Sequence, residues 1–147
     1  LYTAQRGQDV IAMTWPHYDG ANIDVAQEKT RTRLSIPAHP DLKFLLDNEI
    51  PKKAAVIFTT QTGRPWKLDH LRHEIRKLVE NCGFDKYSFH GLRKKAAVNL
   101  AEAGATLEEI MAVTGHKTAA MVLHYTRGAD QKRLAGAAIS KLPRKRK

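Results

Sequence analysis

Apolar residues recur along the chain at two spacings, and the change of spacing organises it. Between residues 14 and 37 they alternate with polar neighbours: Ile23 and Val25, then Leu34 and Ile36. A period of two is that of a half-buried strand. Residues 14–18 are expected as a first short strand and Asp19-Gly20 as a turn. Residues 22–27 form the second strand. Residues 33–37 return as the third, after the polar turn Lys29-Thr-Arg-Thr. Elsewhere the spacing is helical. Residues 1–13 read as the end of a helix, with Leu1, Val10, Ile11 and Met13 on its apolar side. His39-Pro40 opens another helix, carrying Leu42, Leu45 and Leu46, which Pro51 stops. Residues 54–58 are a buried extended run, and 59–65 a loop around Gly63. Residues 67–81 repeat Leu68, Leu71, Ile75, Leu78 and Val79 at helical spacing, with Gly83 as the stop.

Ser88 is placed to cap a helix over residues 88–103, with Leu92, Ala96, Leu100 and Ala103 as its buried stripe and Gly104 as its end. Thr106 and Glu109 form a capping box before Leu107, Ile110 and Met111, and Thr114-Gly115 breaks that helix. Residues 117–125 and 130–139 are expected as two further short helices. The fold class is therefore mainly α (α+β), helical with a small three-stranded antiparallel sheet at one edge.

Composition narrows the function. With 147 residues, 42% apolar and 27% charged, the chain fits one globular domain and not a disordered one. No apolar run is long enough to span a membrane, and no secretory signal is present. Cys82 is alone, which excludes an internal disulfide and a Cys-pair metal site, and points to a reducing cytoplasm. The chain opens on Leu1 with no cap before it, as expected of a piece of something longer. The net charge of +10 suggests a polyanionic partner. Residues 141–147 carry five of those charges, as a tail that either meets DNA phosphates or is simply solvated.

His-x-x-Arg occurs three times: His73/Arg76, His90/Arg93 and His124/Arg127. The first lies on the helix 67–81 and reads as a solvated face. His70 and His73 are also three apart, but no third metal ligand accompanies them. His90 and Arg93 stand at the start of an apolar helix and share a face. His116 follows Gly115 in a turn, and Tyr125 comes nine residues later. Each alone has a plain reading: a capping histidine, a surface arginine, a turn histidine, a half-buried tyrosine. Together they suit phosphate chemistry, because a tyrosine hydroxyl attacks only with a base and a cationic clamp beside it. The two-helix unit 88–114 imitates a helix-turn-helix, but Glu108 and Glu109 argue against its second helix lying in a DNA groove.

In order, Arg6, Lys29, His90, Arg93, His116 and Tyr125 resemble the catalytic domain of the tyrosine recombinase (phage integrase) family. The resemblance covers nearly all of the chain. It is carried by TAQRGQDV around Arg6, FHGLRKKAA, and TGH followed by Tyr125; Lys29 is matched by its place at the hairpin tip, which Arg31 and Arg33 share. It implies that residues 1–140 are a catalytic domain lacking its beginning and the N-terminal core-binding domain that completes a clamp around the duplex. It also implies a site-specific recombinase or integrase, bacterial or phage-encoded and nucleoid-associated, that cuts and rejoins DNA through a 3′-phosphotyrosine link. Arg6 and Arg93 would clamp the phosphate and Tyr125 attack it. Lys29 would protonate the leaving 5′-oxygen, His90 accept the tyrosine proton, and His116 hydrogen-bond the phosphate. No cofactor, metal or ATP is implied, and Asp9 would orient Arg6. Expected partners are double-stranded DNA and further copies, as a tetramer on DNA with the fragment alone a monomer, and no membrane. Residues 130–139 either pack on a neighbouring copy or fold back. Two alternatives stand beside this: a type IB topoisomerase, and a DNA-binding module without turnover. The Gly115-His116 pair and the short spacing to Tyr125 favour the recombinase.

Overall fold

The computed structural model describes residues 1–84 and 87–143. The last residues of the basic tail, 144–147, lie outside the described residues. Helix α1 spans Gly7–Ile11, strands β1 and β2 span Asn22–Ala26 and Arg33–Pro37, and α2 spans Pro40–Phe44. Then come α3, Leu68–Asn81, α4, Phe89–Glu102, α5, Leu107–Thr114, and α6, Ala119–Ser140. The chain is thus mainly helical, with an antiparallel hairpin at one side.

Among the described residues the sheet has two strands, not three. Residues 14–18 were expected to extend, but Pro16 lacks an N–H to give a ladder. Trp15–His17 instead coil into a 3₁₀ turn capped by Thr14, whose backbone N–H donates to His17 Nδ1 at 3.1 Å. Only isolated bridges remain there, Thr14 to Val56 and Tyr18 to Ile23. In β1 and β2 the period of two holds. Ile23 faces Ile36 and Val25 faces Leu34 across the pair, and Ile23, Val25 and Ile36 are buried. These side chains join Met13, Leu46 and Ile57 in one apolar cluster. Each buried aliphatic side chain there contributes on the order of 1.5–3 kcal/mol.

A second cluster, Ala97, Ala101, Ile110 and Val122, fills the space between α4, α5 and α6. Here the expected stripe on α4 is rotated. Leu92 and Ala103 are exposed, whereas Arg93, Ala96, Ala97 and Ala101 are buried. An aliphatic pattern could not reveal this, because the buried face begins with a guanidinium. Ser88 caps α4 by accepting from the Gly91 N–H, and Thr106 with Glu109 closes the capping box of α5. Gly115 takes φ +68° to end α5.

Other boundaries also moved. Residues 1–6 are not helical; Ala4 has φ +51°, which leaves only α1 of the first expected helix. The helix after His39 continues past α2 as a π turn over Leu45–Glu49, and Leu45 is exposed. Within residues 54–58, Ile57 is buried but Phe58 and Ala55 are not. Leu78 of α3 is exposed too. The two short helices expected after Lys117 are one, α6, which runs through Gly128 without a break. Val122 and Thr126 anchor its first half, while residues 131 and 133–140 face outward.

Candidate active site

Three segments converge where the two clusters meet. Arg6 is the N-terminal flank of α1, and Asp9 one turn on is buried. The Asp9 carboxylate accepts from the Glu28 N–H at 3.0 Å and stands 3.8 Å from the Arg6 guanidinium, so it faces the loop after β1 and the arginine together. Arg93 projects from the buried face of α4. Its Nη1 donates to the Ala4 carbonyl at 2.7 Å, and its Nη2 lies 3.0 Å from His116 Nε2.

That last contact fixes a tautomer. A guanidinium only donates, so Nε2 of His116 accepts and the ring proton sits on Nδ1. Nδ1 then donates to Thr114 Oγ1 at 2.8 Å, and that hydroxyl donates to the Ile110 carbonyl at 2.7 Å. Burial, then Arg93, Arg6 and His90, hold the His116 ring well below its ordinary value, at about 4. It is neutral at pH 7, as the accepted bond requires. Burial and Arg6 lower Arg93 to about 10, which leaves it charged. The His90 ring is also lowered, by burial first and then by Lys94 and Arg93.

The Tyr125 ring stands 6.1 Å from the His116 ring, centre to centre, and the Lys94 ammonium lies 5.3 Å over it. Being half-buried, Tyr125 is fixed by α6 while its edge remains reachable. Lys29 is exposed on the turn between β1 and β2. It lines an open cleft of about 1010 Å³ with Arg6, Arg31, Arg72, Arg76 and His90. Arg6 and His90 thus line the cleft together with Lys29, while Arg93, His116 and Tyr125 form a contiguous group within electrostatic reach of Arg6 and His90. His73 and Arg76, read as a solvated face, are both exposed. Among the described residues no three His, Cys, Asp or Glu side chains cluster to hold a metal.

Sequence reasoning passed over Gln5, Gln27 and Lys94. Gln27 is 1% exposed, and its carbonyl accepts from Arg6 Nη1 at 3.1 Å. A signal was available: after Ile23 and Val25, position 27 is the next to face inward, and a polar residue there needs buried partners. Lys94 follows Arg93 directly and gave no such signal.

The phage integrase family model matches residues 1–132. No curated protein matches the chain. Among solved structures, XerA recombinase superposes with a TM-score of 0.80 at 18% identity, over 97% of this chain and 55% of that one. A lambda integrase dimer bound to a COC′ core site gives 0.73 at 25% identity, over 85% and 48%. The Tn1549 transposon integrase in complex with transposon right end DNA gives 0.71 at 17% identity, over 91% and 56%. The chain spans about half the length of these solved structures.

Proposed function

The chain belongs to the phage integrase family, and from that premise we propose that it is the catalytic half of a site-specific recombinase acting through Tyr125. The observation that carries this reading is the meeting of two arginines and two histidines beside one half-buried tyrosine. The lambda integrase and Tn1549 transposon integrase structures, both bound to DNA and the first as a dimer, support DNA as the substrate and assembly of several copies upon it.

The geometry supports the following chemistry. A phosphodiester entering the cleft places its non-bridging oxygens between Arg6 and Arg93, whose planar donors match a phosphate and stay charged. The Tyr125 oxygen attacks phosphorus as the P–O5′ bond breaks, which leaves a 3′-phosphotyrosine and a free 5′-hydroxyl. His90 takes the phenol proton; its lowered pKa keeps it neutral and able to accept. Lys29 gives a proton to the departing oxygen. Charge built up on the equatorial oxygens is met by fixed cations, which removes several kcal/mol of barrier at about 3 kcal/mol per donor. His116 changes partners in this step. When Arg93 turns to the phosphate, the ring can lose its Nδ1 proton to solvent and take one on Nε2. The Thr114 hydroxyl, leaving the Ile110 carbonyl, then donates to Nδ1, and Nε2–H serves the phosphate. Attack by the 5′-hydroxyl of another strand reverses the chemistry without ATP.

The test is covalent trapping. Nicked duplexes carrying the end sequences of the encoding element are incubated with the chain and with its full-length parent. The nick lets the cleaved fragment leave, so a denaturation-resistant adduct accumulates. The adduct forms in chelator, is absent in Tyr125→Phe, and falls about 100-fold in Arg93→Ala. Tight, salt-sensitive DNA binding by the parent with no adduct on its own site would instead mean a binding module.

A further inference from the structure

We propose that Gln27, backed by Gln5, is a positioning residue that sets Arg6, the Lys29 loop and the His116 turn in one register. The inference rests on the reading of this site as a strand-cleaving centre.

Gln27 follows the last residue of β1 and closes the loop that carries Lys29. Its backbone N–H donates to the Thr32 carbonyl and its own carbonyl accepts from the Arg31 N–H, both at 2.9 Å. Its side chain then reaches three ways. The amide oxygen accepts from Thr30 Oγ1 at 2.6 Å, inside the loop, and from Arg6 Nη1 at 3.1 Å. The amide nitrogen donates to Gln5 Oε1 at 2.7 Å and to the Thr114 carbonyl at 2.8 Å. Gln5 in turn donates to the carbonyls of Thr3 at 2.6 Å and Val113 at 2.9 Å. Two donated and two accepted bonds use the whole capacity of the Gln27 amide.

The orientation of that amide is not arbitrary. Turned over, its NH₂ would face a guanidinium and its oxygen a backbone carbonyl, so each of those contacts would repel. The partners are also telling. Thr114 offers its carbonyl to Gln27 while its hydroxyl accepts from His116. Gln27 therefore holds one side of the residue that orients His116, and also holds Arg6 directly. Gly115 shows how close this approach is: a Cβ there would lie 2.6 Å from Gln27 Nε2. A glutamine kept only for stability has no reason to spend all four bonds on segments that carry site residues. Buried at 1% exposure, it excludes water from those bonds and keeps them stiff.

Gln27→Met keeps length and removes the four bonds. Single-turnover trapping on the nicked duplex separates the two ways it can act. Misfolding lowers the amplitude of adduct, and misplacement lowers the rate. The expected result is a rate about 100-fold lower, as for a displacement on the order of 1 Å, at unchanged amplitude and DNA affinity. A duplex with sulfur in place of the leaving 5′-oxygen needs no proton from the protein. It should restore Lys29→Ala fully but Gln27→Met only in part, since Arg6 and His116 remain displaced.

A second readout needs neither DNA nor turnover. In Gln27→Met, amide hydrogen exchange should rise at residues 28–31 and 114–116 together, while α4 and α6 stay protected. Gln27→Glu keeps the accepted bonds but sets a carboxylate against the Thr114 carbonyl, so exchange should rise at 114–116 alone. An unchanged rate, a loss of amplitude alone, full restoration by sulfur, or exchange rising in neither segment would overturn the proposal. If wild type forms no adduct, the cleavage reading fails, and the exchange pattern still decides whether Gln27 links the segments.

Discussion

The two apolar clusters are made of different residues, and the site takes its geometry from the difference. The sheet-side cluster is built of large side chains: Met13, Ile23, Val25, Ile36, Leu46 and Ile57. The helical cluster has Ala97 and Ala101 at its centre, with Ile110 and Val122 against them. Large aliphatic residues remove the most area from water and supply most of the stability. Alanines remove little, but they leave one face of α4 narrow enough for α6 to approach. On that same face Arg93 is 4% exposed. A buried guanidinium costs free energy unless its donors are met, and here the Ala4 carbonyl and His116 meet them. One half of the domain supplies stability, and the other yields some of it to hold a charge in place.

Substitutions that treat the halves differently should separate these roles. The largest effect on folding is expected in the sheet. Ile23→Ala opens a cavity against Ile36 and should lower stability by about 2–5 kcal/mol in urea unfolding, while the titration of His116 stays as it is. Ala97→Leu, fully buried between α4 and α6, should cost less, about 1–3 kcal/mol, through overpacking. It should nevertheless disturb the site more, pushing Arg93 from His116 and letting the His116 ring rise toward its ordinary value in NMR titration. Equal disturbance of His116 by both variants would erase the distinction.

The remaining effect is a pH dependence centred on the helical half. His116 is lowered from 6.5 to about 4, so between those values the unfolded chain binds the extra proton. Stability must therefore fall as pH drops from about 6.5 to about 4, and be fully regained above that window. His90, also lowered, acts in the same sense. His116→Asn should flatten part of this slope, and hydrogen exchange should report the acid loosening at the turn after α5 before it reaches β1 and β2.

The halves also differ in how plainly they are written in the sequence. Strict alternation of Ile23, Val25, Leu34 and Ile36 fixes the hairpin faces, because a one-residue slip would expose all four. The Thr106–Glu109 box and the Ser88 cap are local signals and are met at their expected positions. The face of α4 is not legible in this way, since Leu92 outranks Arg93 in any apolar pattern although tertiary packing buries the arginine. The continuity of α6 was hidden by Gly128, which a helix tolerates at about 1 kcal/mol. In the site, Arg6, His90, Arg93, His116 and Tyr125 could be picked out by type and order. Gln27 could not, because its importance lies in four partners spread from Gln5 to Thr114.

The most direct test of the central claim is to locate the DNA on the protein. The trapped adduct is digested with nuclease and trypsin, and the peptide bearing the nucleotide is identified by mass. The account predicts nucleotide on Tyr125, within the peptide of residues 118–127, linked through the 3′-phosphate. Nucleotide on Tyr87, the tyrosine that lines the cleft beside Arg6 and Lys29, or on a serine or lysine, would contradict it.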